Sequence, residues 1–302
     1  MVKIKELQQY AVQLLAECFA TCILILMGEA GIANYKFARQ TSHSTLPIPI
    51  AFGVGVYLAI MISAPITGAH LNPAISISLM TIRKINPLQC IFYIIGQTLG
   101  AFLGAALVYL VYRKQFDVFD GGRRQITGPN GTADIFFTMP GKDIPHWNTF
   151  IDQLVSTGLL MIFIMTLTQK FNNMISEVAK PFAFAFALII TGIICAFSIN
   201  AGAAINPARD LGPRLFGAFI YGLNDVFRTH NYFFWVPIIG PIVGAILAVW
   251  IYKSYVWIIQ RYGHFSNIEH TNTGKEINPE VIETSYPYNL YELQKQLTEV
   301  NA

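Results

Sequence analysis

The side chains best placed to do chemistry in this sequence are two asparagines and an arginine, all deep in apolar surroundings. Gly68-Ala-His-Leu-Asn-Pro-Ala74 and Gly202-Ala-Ala-Ile-Asn-Pro-Ala208 are two versions of one box, one in each half of the 302-residue chain. Asn is a preferred N-cap and Pro is favoured at the first helical position. Asn72-Pro73-Ala74 and Asn206-Pro207-Ala208 therefore each predict a helix start. Each Asn oxygen would accept a bond from its own helix start, leaving the NH₂ as a donor toward whatever lies in front. Two helix starts brought face to face also oppose two positive dipole ends, which disfavours a cation or proton between them. Two donors on one wall suit a hydroxyl or water oxygen. Arg209 follows the second box directly and has two readings. It either pairs with Asp210 away from any lumen, or supplies a positive constriction with several donors. Asp210 is favourably placed in a first helical turn, and it is also a candidate to hold the neighbouring loop.

The elements that must position these groups are apolar spans. The chain is 54% hydrophobic and 12% charged, against about 25% charged in soluble domains. Its uncharged runs reach the roughly 18 residues that mark a transmembrane candidate. Spans are expected at about 11–33, 48–67, 87–111, 150–169, 181–200 and 233–258, with half-segments at 72–82 and about 206–217 after the boxes. A helix of ~11 residues rises only ~16 Å, about half of a ~30 Å hydrocarbon core. Gly96, Gly100 and Gly104 repeat every fourth residue, a small-residue row that predicts a helix–helix contact face. The last span opens Phe233-Phe-Trp-Val-Pro237 and carries Trp250-Ile-Tyr-Lys253 toward its other end, as interfacial aromatic belts do. The fold class expected is an all-α membrane protein, six transmembrane helices plus two re-entrant half-helices. Residues 1–258 are expected to form one membrane domain, with halves at about 11–111 and 150–258 joined by a polar loop at 112–148. A charged loop follows at 170–180, and a disordered tail at 259–302.

The halves repeat beyond the boxes. Glu17-x-x-x-Thr21 precedes the first box at nearly the spacing at which Gln153-x-x-x-Thr157 precedes the second. Three spans per half is an odd number, so the second half must cross the membrane in the opposite sense, giving an inverted repeat with its site at the midplane. Glu17 reads as the one convincing intramembrane carboxylate. Such a group costs at least ~3 kcal/mol unless protein or water faces it. Glu17 and Gln153 are expected as buried props that accept backbone N–H bonds from the re-entrant loops. His70 is either a pore liner or a packed loop histidine, and packing is the expectation. Cys18, Cys22, Cys90 and Cys195 lie in apolar segments without metal spacing and read as packing residues, so no metal or cofactor is expected. The net charge of +3 is spread along the chain, without the basic cluster that nucleic acid requires. His, Asp and Ser form no triad-like grouping, so no enzyme is expected. The first apolar segment is long enough to span and is not expected to be a cleavable signal peptide. Asn130-Gly-Thr132 is an N-glycosylation sequon in the long loop.

The paired boxes with Glu17-x-x-x-Thr21 resemble the major intrinsic protein family, the aquaporins and glycerol channels, over about residues 11–258. Asn206-Pro-Ala-Arg-Asp-Leu-Gly-Pro-Arg214, Phe234-Trp-Val-Pro-Ile-Ile-Gly-Pro-Ile-Val-Gly244 and the long 112–148 loop resemble the aquaglyceroporin branch in particular. The resemblance implies a selectivity constriction at Phe52, Ile194, Ala203 and Arg209. Water-only members usually carry a His where Ile194 stands. Glycerol channels commonly carry a very small residue there and often an aromatic at the Ala203 position, so here bulk has moved around the ring. Gln153 stands where the family usually has Glu. The resemblance also implies a homotetramer in a lipid bilayer, at the plasma membrane, with both termini cytoplasmic and Asn130 outside. Glycerol and water are the expected permeants, with urea and other small neutral solutes in range. The alternative is a water-selective channel. An inverted-repeat secondary transporter would need more titratable groups along its path than this sequence shows.

Overall fold

The computed structural model describes residues 4–38, 44–168 and 182–262. The charged loop expected at 170–180 lies outside these residues, as does the disordered tail expected at 259–302 except for 259–262, which are helical. The chain divides into two compact units, Met1–Trp257 and Ile258–Ala302, and the first carries every feature below.

Nine helices are described: α1 Ile4–Phe37, α2 Pro47–Thr67, α3 Pro73–Thr81, α4 Pro87–Asp120, α5 His146–Thr168, α6 Phe182–Phe197, α7 Pro207–Tyr221, α8 Leu223–Tyr232 and α9 Val236–Tyr262. By length and composition, five segments could each cross a membrane, and α6 is a shorter apolar helix described from Phe182 onward. Several helices outrun their expected spans, α5 by starting at His146, α9 by running to Tyr262, and α1 and α4 by more. α1 extends past both ends of 11–33. α4 continues nine residues beyond 111 to Asp120, so the first part of the expected loop is helix. Hydropathy falls at Tyr112 but helicity does not, because Arg113 and Asp117 pair one turn apart and Gly121 terminates the helix in a left-handed conformation. Just past that end Arg124 binds Asp117 at 2.6 Å and Asp120 at 2.8 Å. These ionic contacts fix where the chain leaves α4 and enters the long connection.

The glycine row sits on the α1–α4 seam. A Cβ at Gly96, Gly100 or Gly104 would run into the carbonyl oxygens of Leu14, Cys18 and Cys22 respectively. In the second half, Gly244 of α9 meets the Leu154 carbonyl of α5 in the same manner. Both halves thus dock their first and third spans backbone to backbone, which small residues alone permit. The described residues between α4 and α5 contain one 3₁₀ turn, Ala133–Ile135, with Phe136 and Phe137 fully buried behind it. The 135–138 part of the connection therefore packs into the protein, while 127–130 stand exposed.

Candidate functional site

Both boxes fold by their local chemistry. Asn72 is extended, and its Oδ1 accepts from the Ala74 N–H at 2.9 Å, while Pro73 fills the first helical position of α3. Asn206 does the same for α7, accepting from Ala208 at 3.0 Å and Arg209 at 3.3 Å. The two starts are tied to each other. Asn72 Nδ2 donates to the Ile205 carbonyl, and Asn206 Nδ2 donates to the Leu71 carbonyl, both at 2.8 Å. Of the two N–H groups on each amide, one is thus engaged in the opposite loop. The asparagines are 5% and 6% exposed, which leaves them reachable only edge-on.

The residue before each Asn is strained. Leu71 has φ 57° and Ile205 φ 45°, left-handed values that bulky Leu and β-branched Ile rarely adopt. Such positions cost about 1–3 kcal/mol and persist only where the surroundings over-determine them. Here each is held at both ends, its carbonyl by the opposite Asn and its N–H by a buried side chain. Glu17 Oε2 takes the Leu71 N–H at 2.7 Å, and Gln153 Oε1 takes the Ile205 N–H at 3.0 Å. Glu17 also accepts from the His70 N–H, the Thr67 hydroxyl and Gln97 Nε2. His70 is packed: its Nδ1 meets Ser76 Oγ at 3.1 Å, and its ring lies edge-on to Tyr93.

Gln153 uses its amide in both directions. Its Nε2 donates to the Gly202 carbonyl and to Asp152 Oδ2, both at 3.1 Å. A carboxylate could make neither bond. Gln153→Glu should therefore destabilise this protein by about 1–3 kcal/mol, since it removes the bonds to Gly202 and Asp152, leaving the Gly202 carbonyl only the Ala204 N–H, and adds a like charge beside Asp152. A melting temperature in detergent at or above wild type would refute that expectation.

Arg209 does not pair with Asp210. Its Nη1 donates to the Phe136 carbonyl at 2.8 Å, its guanidinium lies 5.2 Å over the Phe52 ring, and Glu29 Oε1 is 3.8 Å away. Asp210 turns the other way. Its Oδ2 accepts from the Thr138 N–H and hydroxyl, and its Oδ1 accepts from Arg214 Nε at 2.7 Å. Arg214 is fully buried and also donates to the carbonyls of Thr138 and Val226. Asp210 and Arg214 together clamp the 136–138 stretch whose carbonyl carries Arg209. Phe52 and Ile194 belong to one buried apolar cluster, with Ala203 packed against it. Ala74, Ala208 and the ring of Pro73 are buried behind the helix starts, as is Pro207. Asn130 is exposed in the long connection, while Thr132 of its sequon is buried with its hydroxyl on Tyr221.

Two participants escaped the sequence. The Phe136 carbonyl is a backbone group that no residue type announces. Glu29 corrects the expectation of a single intramembrane carboxylate, for it is fully buried in α1 beyond Glu17. It lies inside the span expected at 11–33, where no box or repeat partner marks it, and its burial shows only in the packing of α1.

Comparison with known proteins follows the same outline. The family model described as "Major intrinsic protein" matches residues 3–252. The chain is 36% identical over 248 residues to human "Aquaporin-9", covering 82% of this chain and 83% of that one. It is 34% identical to "Aquaglyceroporin-2" of Rhizophagus irregularis, covering 84% and 80%. A solved structure, the aquaglyceroporin from Plasmodium falciparum, superposes with a TM-score of 0.72 at 29% identity, over 82% of this chain and 97% of that one.

Proposed function

Since the chain belongs to the major intrinsic protein family, we propose that it is a passive membrane channel conducting glycerol and water while excluding ions and protons. The observation that carries this reading is the reciprocal pair of bonds joining Asn72 to the Ile205 carbonyl and Asn206 to the Leu71 carbonyl. It sets two helix starts, and the remaining N–H of each amide, at one level. Neutral hydroxyl oxygens are suited to that level, and cations are opposed by the two dipole ends. Arg209, Phe52, Ile194 and Ala203 form the constriction that selects among neutral solutes, with urea in range. The greasy surface of Phe52 and Ile194 accommodates the carbon skeleton of a polyol, and Arg209 binds its hydroxyls.

The rest of the reading follows the same lines. Residues 1–258 are the channel and 259–302 a cytoplasmic tail. The protein is a homotetramer in the plasma membrane with both termini inside, and Asn130 is glycosylated on the outer side. Support for the lipid and subunit contacts comes from exposed apolar side chains on the outward faces of the helices, such as Leu15 and Phe19 of α1 and Leu99 and Leu103 of α4.

Purified protein in proteoliposomes decides the main point. Stopped-flow light scattering should record both osmotic water flux and glycerol uptake that does not saturate or depend on a proton or sodium gradient. Water flux without glycerol flux would replace this reading with the water-selective one. Within the constriction, Ile194→His should lower glycerol permeability more than water permeability, on the order of tenfold in their ratio, the scale of one substituent in a pocket. Equal loss of both fluxes would remove position 194 from the selecting ring.

A further inference from the structure

Glu29 is a buried carboxylate with no hydrogen bond to either oxygen. Such a group is costly unless a counter-charge compensates it. The charge that faces it is Arg209, with Nη1 at 3.8 Å from Oε1. That separation gives attraction without a hydrogen bond, and the guanidinium has one bond elsewhere, to the Phe136 carbonyl. The other carboxylate near Arg209, Asp210, is spent on Thr138 and Arg214. The neighbouring residue on α1 serves the same place. A Cβ on Gly28 would collide with the Phe52 ring, so that ring lies directly on the helix backbone. Positions 28 and 29 of α1 thus back two of the four constriction side chains, Phe52 and Arg209.

We infer that Glu29 is a positioning and specificity-determining residue of the constriction: it draws the Arg209 guanidinium back against α1 and cancels the charge that the arginine would otherwise present to permeants. This rests on reading Arg209 as a constriction residue of a glycerol and water channel. An arginine held against the wall leaves room for a polyol even where bulky Ile194 narrows the ring from another element. An arginine released from Glu29 keeps one anchor, Phe136, and hydrates by swinging toward the lumen. Its uncompensated positive charge then favours small anions. The selectivity of this pore is set by five side chains, and the fifth is never in contact with solute.

The experiment compares wild type, E29Q, E29D and the double variant E29Q/R209Q in proteoliposomes, with fluxes normalised to reconstituted protein. Glycerol and water permeabilities are measured by stopped flow, and chloride against potassium permeability by the reversal potential in a potassium chloride gradient. E29Q should lower the glycerol-to-water ratio on the order of tenfold and shift the reversal potential toward chloride. The double variant, neutral again at this site, should lose the chloride preference. E29D keeps the charge but retracts it, so its ratio should fall between wild type and E29Q. A purely structural role for Glu29 would lower both fluxes and the melting temperature together with the ratio and reversal potential unchanged, and that outcome overturns the inference. If E29Q does not fold, E29D decides, and an unchanged ratio there overturns it equally. Wild type without glycerol flux would instead defeat the channel reading itself.

Discussion

Glu17→Ala should abolish the folded channel, not tune it. The carboxylate accepts four hydrogen bonds, from the Thr67 hydroxyl, the His70 and Leu71 N–H groups and Gln97 Nε2. Alanine would leave the His70 and Leu71 N–H groups without an acceptor, at about 1–3 kcal/mol each, while the Thr67 hydroxyl and Gln97 Nε2 fall back on the Ser63 carbonyl and Ser76 Oγ. That loss is a large part of the net stability of a domain, ~5–15 kcal/mol. The loss falls where it is least tolerable, because Leu71 is already in a left-handed conformation and depends on its two bonds. The variant should fail to reach the cell surface and should aggregate on extraction. Glu17→Gln keeps one oxygen acceptor but turns an NH₂ toward donors, so it should be recoverable with a depressed melting temperature. Near-wild-type melting and glycerol flux in Glu17→Ala would show that the re-entrant loop is held by something else.

Arg209→Ala should produce the largest change in selectivity. The fold around it survives, since Asp210, Arg214 and Thr138 hold the adjoining stretch without it. Three things vanish together: the positive charge, the donors for a hydroxyl, and the cover over Phe52. Glu29 is left as an unpaired carboxylate at a widened ring, so the sign of the local charge reverses. Removing one partner of a buried pair carries ~3–5 kcal/mol, which pore water and entering cations would relieve. Sodium or potassium conductance should therefore appear where wild type shows none, accompanied by flux of solutes larger than glycerol. Voltage-clamped cells expressing the variant, with surface abundance measured in parallel, provide the reading. An ion and solute profile identical to wild type would place Arg209 outside the lumen.

Legibility in the sequence followed the reach of the interaction. The helix starts at Asn72 and Asn206 were readable because capping is a local contest among neighbouring residues. The α1–α4 seam was readable because Gly96, Gly100 and Gly104 keep helical register. Glu17 as a support for backbone was readable because a charge at that depth needs a partner, and the nearest needy groups are loop N–H donors. The part that escaped was what depends on distant segments meeting. The Phe136 carbonyl reaches Arg209 across 73 positions of sequence. Asp210 had two available arginines, and only the three-dimensional path of α7 sends it to Arg214 one turn on. The end of α4 was misjudged because hydropathy measures where lipid stops and not where helix stops. Glu29 lies inside the span expected at 11–33, but the charge it faces, Arg209, is in the other half of the chain and no motif links the two.

The crossed bonds between the two boxes have a consequence for how the chain is made. The Leu71 carbonyl must wait for Asn206, 135 positions later. At ~5–20 residues per second of synthesis, that wait is on the order of ten seconds. For that interval the first half sits in the translocation machinery with Glu17 already able to grip Leu71 from one side and nothing to grip it from the other. The pore therefore closes its own circuit as a last act of biogenesis, and a ribosome that stalls before residue 206 releases a half-channel whose most strained turn is unfastened. Quality control needs no knowledge of permeation to recognise such a product: an unsatisfied carbonyl inside the bilayer marks it.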